Sequence, residues 1–185
     1  MNRVLRENFS IRSGYTMRKN IDDYESGDIK VIYAKHLNSI NNLELPTIGK
    51  VSSEHYLLDG DILLTVKGSF SAVVFDKSIG KAIATSSIMI LRPKDKNISS
   101  EFIATYLNSM KGQSDLRQIM SGAHVKTINK SELENLRIPI PPLDTQNMIA
   151  KLAHNVIDQK NINYQKNEIQ QKILDSILIK LTQES

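Results

Sequence analysis

Residues 133–146 read LENLRIPIPPLDTQ, and this stretch decides the architecture on both sides of it. Pro139, Pro141 and Pro142 lack a backbone donor and fix their own φ, so neither a helix nor a central strand runs through them. They set a boundary at residue 142. Downstream, residues 143–181 contain no Gly and no Pro, and Asp144 or Thr145 is placed to cap a helix. Ile149, Leu152 and Val156 form one apolar stripe at helical spacing. Ile169, Ile173, Ile177 and Leu181 form a second, widened by Leu174 and Leu178. Between them, Gln159 to Glu168 is polar except for Ile162 and Tyr164. One helix of this length, about 58 Å at ~1.5 Å per residue, cannot bury both stripes against one small domain. The far stripe needs a partner, either a second copy or another protein.

Upstream the texture is different. Ile29 to Ala34 (IKVIYA), Asp61 to Val66 (DILLTV), Ser71 to Phe75 (SAVVF) and Ser87 to Leu91 (SIMIL) are short apolar runs. Gly, Pro, Asp and Ser bound them, which predicts strands, and their near-continuous apolarity predicts cover on both faces. Gly60 and Gly68 read as turn residues. Ser99 or Ser100 is placed to cap a helix carrying Phe102, Ile103, Tyr106, Leu107 and Met110. Gly112 is expected to interrupt it, and Leu116, Ile119 and Met120 to continue on a second helix closed by Gly122. Residues 123–129 read as a loop or short extended piece, and Ser131 to Asn135 as one helical turn. The expected architecture is α+β: a mixed, twisted β-sheet domain with flanking helices over 1–142, then a long C-terminal α-helix over 143–185 forming a coiled-coil spacer.

Composition narrows the class. Hydrophobic residues make up 40% and charged residues 24% of the 185, which suits a folded domain rather than a disordered chain. There is no cysteine, which excludes disulfides and thiolate metal sites. Met1 to Lys19 carries five Arg and Lys without an apolar stretch, so it does not read as a secretory signal. No run approaches membrane-spanning length. These features fit a soluble, cytoplasmic protein. The net charge is +4, and all of the excess lies in residues 1–142, with 19 Lys+Arg against 15 Asp+Glu; residues 143–185 hold 5 of each. A basic excess confined to the first part suits a polyanionic partner there.

Catalytic patterns are missing. His36, His55, His124 and His154 form no HxH or HExxH pair, so no metal site is expected. The sequence has no Walker-type phosphate loop, no GxGxxG and no GxSxG elbow. Pro141-Pro142 has neither the preceding Asn or Asp nor the following aromatic of an amino-methyltransferase signature. Asp28-Ile29-Lys30, behind an upstream acid such as Asp22, is the best nuclease candidate. Two carboxylates would hold Mg²⁺ while the lysine supported the water. So short a pattern also arises by chance, and ordinary surface charge is the favoured reading. Polar residues at expected loops and strand ends are more suggestive: Arg18, Lys19, Lys35, His36, Asn38, Lys67, Ser69, Ser86, His124, Lys126 and Thr127. These are donor types that bind phosphates and base edges, on the loops where recognition usually sits. Solvated loops are the bland alternative.

Together these segments resemble one known pattern. Its order here is Ser13-Gly14-Tyr15-Thr16, VIYAKHLN (31–38), Leu58-Asp59-Gly60-Asp61-Ile62-Leu63, Lys67-Gly68, SIMILRP (87–93), FIATYLN (102–108), Gly122 leading to Ile128, and LENLRIPIPPLDTQ. The chain is similar to the target recognition domain of type I restriction–modification specificity subunits, over nearly its whole length. The resemblance implies a non-catalytic, sequence-specific reader of double-stranded DNA. It implies an adenine methyltransferase subunit as partner, with S-adenosylmethionine bound there and no cofactor here. Motor–nuclease (restriction and translocase) subunits can join. Members carry two recognition domains and two helices; this sequence shows one of each and looks like half of such a subunit, which leaves a homodimer, one half of a split pair and a truncated or silent cassette as the expected forms. Two stripes without cover, Ile149, Leu152 and Val156 with Ile169, Ile173, Ile177 and Leu181, then point to a homodimer. A metal-dependent endonuclease using Asp28 and Lys30, and a helical adaptor with no DNA role, are the rival readings.

Overall fold

Each of the four apolar runs between turn residues holds a strand, Ile29–Ile32, Ile62–Thr65, Ala72–Val74 and Ile88–Pro93. The computed structural model describes residues 2–39, 44–122 and 127–183. From the N-terminus, β1 (Asn2–Val4) passes through one helical turn, α1 (Leu5–Asn8), into β2 (Phe9–Ser13). Then come β3 (Ile29–Ile32), β4 (Thr47–Ile48), β5 (Ile62–Thr65), β6 (Ala72–Val74), β7 (Ala82–Ala84) and β8 (Ile88–Pro93). The helices α2 (Ser100–Asn108), α3 (Met110–Gln118) and α4 (Lys130–Asn135) follow, then β9 (Arg137–Pro139) and α5 (Leu143–Gln183). The chain divides into two compact units, residues 1–147 and 148–185.

The first unit is mixed α+β. Strands β2, β8, β5 and β6, in that order, form an antiparallel sheet. Strands β4, β3 and β7 form a second sheet, with β3 and β7 parallel. Strand β1 pairs antiparallel with β9, Asn2 opposite Pro139, which leaves the proline on an edge where its missing donor costs nothing. The second sheet is covered on both faces. Ile32, Ala82 and Ala84 join a core with Leu37, Leu63, Phe75 and Ile88. Ile29, Val31, Ile48 and Ile83 join another, packed by Tyr15, Tyr24, Tyr33 and Tyr56. The alternation along Ile29-Lys30-Val31-Ile32 thus serves two cores at once. All four residues of β5 are buried.

Two polar ties and one glycine contact hold these layers in register. Asp61, fully buried, takes two bonds from Arg92, from Nε and Nη2, both 2.7 Å, and one from the Leu58 amide at 2.8 Å. This ties the turn before β5 to β8. The Asn108 amide at the end of α2 donates to the Ala72 carbonyl at 2.7 Å and accepts from its N–H at 2.9 Å, closing the open edge of β6. Gly14 lets β2 pass against the end of β7, because a Cβ there would collide with the Ala84 and Thr85 carbonyls.

One expected break moves. Helices α2 and α3 part at Ser109, not at Gly112. Ser109 ends α2, and its hydroxyl caps α3 by accepting the Gly112 N–H at 3.1 Å. Gly112 lies inside α3, where a Cβ would strike the Tyr106 carbonyl. The glycine serves close approach rather than helix termination.

The PPLDTQ end of the opening stretch is explained by its glutamine. Gln146 is 1% exposed. Its Nε2 donates to the Asn97 carbonyl at 3.1 Å and the Pro141 carbonyl at 2.8 Å, while its Oε1 accepts from Ser99 N at 2.9 Å. The first turn of α5 is thereby tied to the turn before α2 within the first unit. Helix α5 starts at Leu143, ahead of both expected caps, with Asp144 in its first turn. It runs for 41 residues, and from Lys151 to Lys180 every side chain but Ala153 is exposed. Among the described residues, no helix is long and apolar enough to cross a membrane.

Candidate nucleic-acid interface

Strand direction gathers the loops. Ser13 pairs opposite Met89 and Thr65 opposite Ile88, so β2 and β5 end where β8 begins. At the same end, Tyr15 bridges Thr85 and the Thr85 amide donates to Ile32 O at 3.0 Å, which brings in the ends of β7 and β3. Val66 N donates to Ser87 O at 3.3 Å, and Thr127 bridges both Lys67 and Ser121. Five segments distant in sequence therefore meet on one rim: residues 13–19, 32–39, 66–69, 85–87, and Ser121 with Thr127.

The loop that carries Lys67 is held from inside. The Thr65 hydroxyl donates to Ser69 O at 2.9 Å and accepts from Ser71 N at 2.8 Å, while Gly68 takes φ 73°. The Thr127 hydroxyl donates to Val66 O at 3.0 Å. Lys67 and Ser69 are left exposed on a closed, pre-formed loop. Arg18, Lys19 and Lys35 are exposed on neighbouring segments. Among the described residues none of these four cations makes a salt bridge, whereas Lys81, Arg92, Lys111 and Lys130 elsewhere do. Unpaired cations beside exposed Ser69 and Ser86 make a surface that can meet phosphates without first breaking internal ion pairs.

The expected residues divide by role. Lys35 lies with its Nζ 5.8 Å from the Tyr33 ring centroid, in cation–π range. His36 is buried; its Nδ1 accepts the Tyr33 N–H at 3.3 Å, and its ring sits edge-on to Tyr33. Burial, with Lys35 beside it, holds the imidazole below its ordinary pKa. It is therefore uncharged at neutral pH and shapes this turn instead of carrying a positive charge. Ser86 is exposed, and its carbonyl accepts from the Ser13 hydroxyl at 3.5 Å. Thr127 spends its hydroxyl on Val66. Asn38 falls in the 3-10 turn Ala34–Ser39, its side chain outside the described residues. His124 and Lys126 also lie outside them, between Ser121 and Thr127, whose backbones pair at 3.0 and 2.9 Å. Ser13 and Tyr33 stand on the rim and were not singled out by residue type. Each fell inside a segment of the family pattern, which was the signal available.

Asp28 is exposed and bonds Lys81 Nζ at 3.0 Å, and that bond holds its carboxyl below the ordinary value. Among the described residues no three His, Asp or Glu gather as a metal site would need. A cleft of about 420 Å³ lies elsewhere, lined by Tyr106, Lys111, Asp115 and Arg137 among others. Burial would raise the Asp115 carboxyl, but bonds from Lys111 and Tyr106 outweigh it and hold it low. Its charge is already matched.

A family model described as type I restriction modification DNA specificity domain matches residues 1–174. Two curated relatives come from Methanocaldococcus jannaschii. The putative type I restriction enzyme MjaX specificity subunit is 28% identical over 123 residues, 65% of this chain and 27% of its own length. The type I restriction enzyme MjaVIII specificity subunit is 28% identical over 165 residues, 79% of this chain and 38% of its own. Among solved structures, the S subunit of a type I restriction-modification system from M. genitalium superposes with a TM-score of 0.59 at 18% identity, covering 88% of this chain and 40% of that one. The HsdS subunit from Thermoanaerobacter tengcongensis gives 0.59 at 20%, covering 86% and 37%. The chain thus spans well under half the length of the relatives it matches, and the structural likeness is one of fold.

Proposed function

The chain belongs to the family of type I restriction modification DNA specificity domains, and on that premise we propose that it reads one half of a split site on double-stranded DNA. The observation that carries this is the rim: loops from five segments presenting Arg18, Lys19, Lys35 and Lys67, without ion pairs among the described residues, beside Ser69 and Ser86. The fold supplies no competing chemistry among the described residues, and Asp61 and Asp115, its two buried acids, are both committed to cations. Methyl transfer to adenine belongs, in this reading, to a methyltransferase subunit that binds S-adenosylmethionine. A motor–nuclease subunit can join the same assembly, which works in the cytoplasm. Helix α5 is the arm for docking and for pairing with a second copy. Two copies reading the same short sequence on opposite strands call for an interrupted palindrome.

The test is salt dependence. Each phosphate contact releases condensed counterions, so log affinity falls linearly with log salt, with a slope set by the number of contacts. Lys67→Ala and Lys126→Ala are each expected to lower that slope by about one unit for duplex DNA, with little change in half-site preference. Slopes unchanged in both variants would take these lysines off the DNA. A wild-type chain with no affinity for duplex DNA, alone or with the methyltransferase subunit, would favour the helical adaptor reading.

A further inference from the structure

The loop between β5 and β6 is held from three sides. From below, the Thr65 side chain, 4% exposed, donates its hydroxyl proton to Ser69 O at 2.9 Å and accepts the Ser71 N–H at 2.8 Å. From one flank, Val66 O takes two bonds, from the Thr127 hydroxyl at 3.0 Å and from Ile128 N at 3.1 Å. From the other, Phe70 is buried, and the Gln113 amide of α3 donates to its carbonyl at 3.3 Å. What is left is an exposed tip of three residues, Lys67, Gly68 and Ser69.

We propose that this tip seats one backbone phosphate of duplex DNA over Gly68, between Lys67 and Ser69, and that Thr65, which touches no DNA, is the residue that positions it. The proposal rests on the DNA-reading role given above and specifies one contact of it. Residue type selects the ligand. Lysine offers a point charge and serine a single hydroxyl donor, which suit a phosphodiester oxygen. A base edge is read by paired groups such as those of Asn, Gln or Arg, and the tip has none. Residues 62–75 contain no Asp or Glu, so the loop itself does not offset the charge of Lys67.

Gly68 supplies the close approach. It takes φ 73°, where an L side chain is strained, and a Cβ built on it would meet no described atom within 4 Å. Gly14 and Gly112 differ, because a Cβ on either would strike the protein's own backbone. The bare main chain at Gly68 faces open space, where a sugar–phosphate chain can come into contact with it. Thr65 keeps this surface in one shape. Valine there would keep the branched side chain and remove both hydroxyl bonds, so that binding would first have to order the tip, at a cost in affinity.

The test measures affinity of the full chain, alone and with the methyltransferase subunit, for a labelled mixed-sequence duplex across a KCl series, with the melting temperature of each variant alongside. One phosphate contact contributes a slope of about 0.9 in log affinity against log salt, so between about 50 and 200 mM the wild type should lose about 3.5-fold more affinity than a variant without that contact. Thr65→Val is expected to match Lys67→Ala in this change and to add nothing further on the Lys67→Ala background. Thr65→Ser, which keeps the hydroxyl, should restore the wild-type slope. Gly68→Ala should weaken binding too. Gly80, at φ 92° in the turn before β7 and with equally open space around it, is the control for strain. Gly80→Ala should lower the melting temperature about as much as Gly68→Ala and leave DNA affinity unchanged. Thr65→Val with a lowered melting temperature and a wild-type slope would overturn the positioning role. Equal DNA affinities for Gly68→Ala and Gly80→Ala would take the phosphate off Gly68. Either result overturns the seat while leaving DNA recognition intact. A wild-type chain without affinity for the duplex in either form overturns the DNA reading and the seat together.

Discussion

Ile173→Asp combined with Ile177→Asp is expected to turn a dimer into a monomer at micromolar concentration. Both side chains are about half exposed on α5 in the single chain. In a two-fold pair each appears twice, so the double variant removes four buried isoleucines and places four carboxylates in the seam. At roughly 1.5–3 kcal/mol per buried aliphatic side chain, the loss is on the order of 6–12 kcal/mol before charge is counted. That is more than about four orders of magnitude in Kd. The helix itself should survive, because Asp in these positions costs only a few tenths of a kcal/mol in propensity. Light scattering reads the mass and circular dichroism the helix content. A wild-type chain that is already monomeric at micromolar concentration would contradict the expectation. So would a methylated site with two unrelated halves, which would point to a different partner half.

Asp61→Asn is expected to cost the first unit about 3 kcal/mol. The carboxylate is fully buried and accepts from Arg92 Nε, Arg92 Nη2 and Leu58 N. Removing one partner of a buried pair typically costs ~3–5 kcal/mol, because the remaining charge is left uncompensated. The Arg92 side chain is 37% exposed, so water relieves part of this and the lower end applies. For a unit of this size the melting temperature should fall by roughly 6–12 °C, at ~2–4 °C per kcal/mol. Asp61→Leu with Arg92→Met should recover much of the loss, since no charge is then stranded. Calorimetry decides. A change below about 1 kcal/mol for Asp61→Asn would show that the bidentate pair does not hold β5 to β8.

The residues that local chemistry governs were the legible ones. A run without Gly or Pro after Pro142 could only be α5, and turn residues bracketed β3, β5, β6 and β8. What depends on distant partners was not legible. The pairing of β1 with β9 joins residues 2–4 to 137–139, and no local periodicity signals it. Strand β7, Ala82–Ala84, is too short to stand out, and it exists because β3 pairs with it. Gly112 looked like a helix break, but its role is set by the Tyr106 carbonyl in the preceding helix. On the rim, residue type found the exposed cations Arg18, Lys19, Lys35 and Lys67. It gave no sign that His36 is buried with its ring bonded to the Tyr33 amide, because burial has no signature in the sequence. The importance of Gln146 was visible only as part of a family pattern; its three buried bonds supply the reason.

The central claim is that this chain chooses the DNA sequence. The direct measurement incubates the full chain, the methyltransferase subunit of its own system and S-adenosylmethionine with a random duplex library, then maps methylated adenines. The account predicts methylation at one interrupted palindrome, absent when either protein is left out. Methyl transfer by this chain alone, or the same pattern from the methyltransferase subunit without it, would contradict the claim.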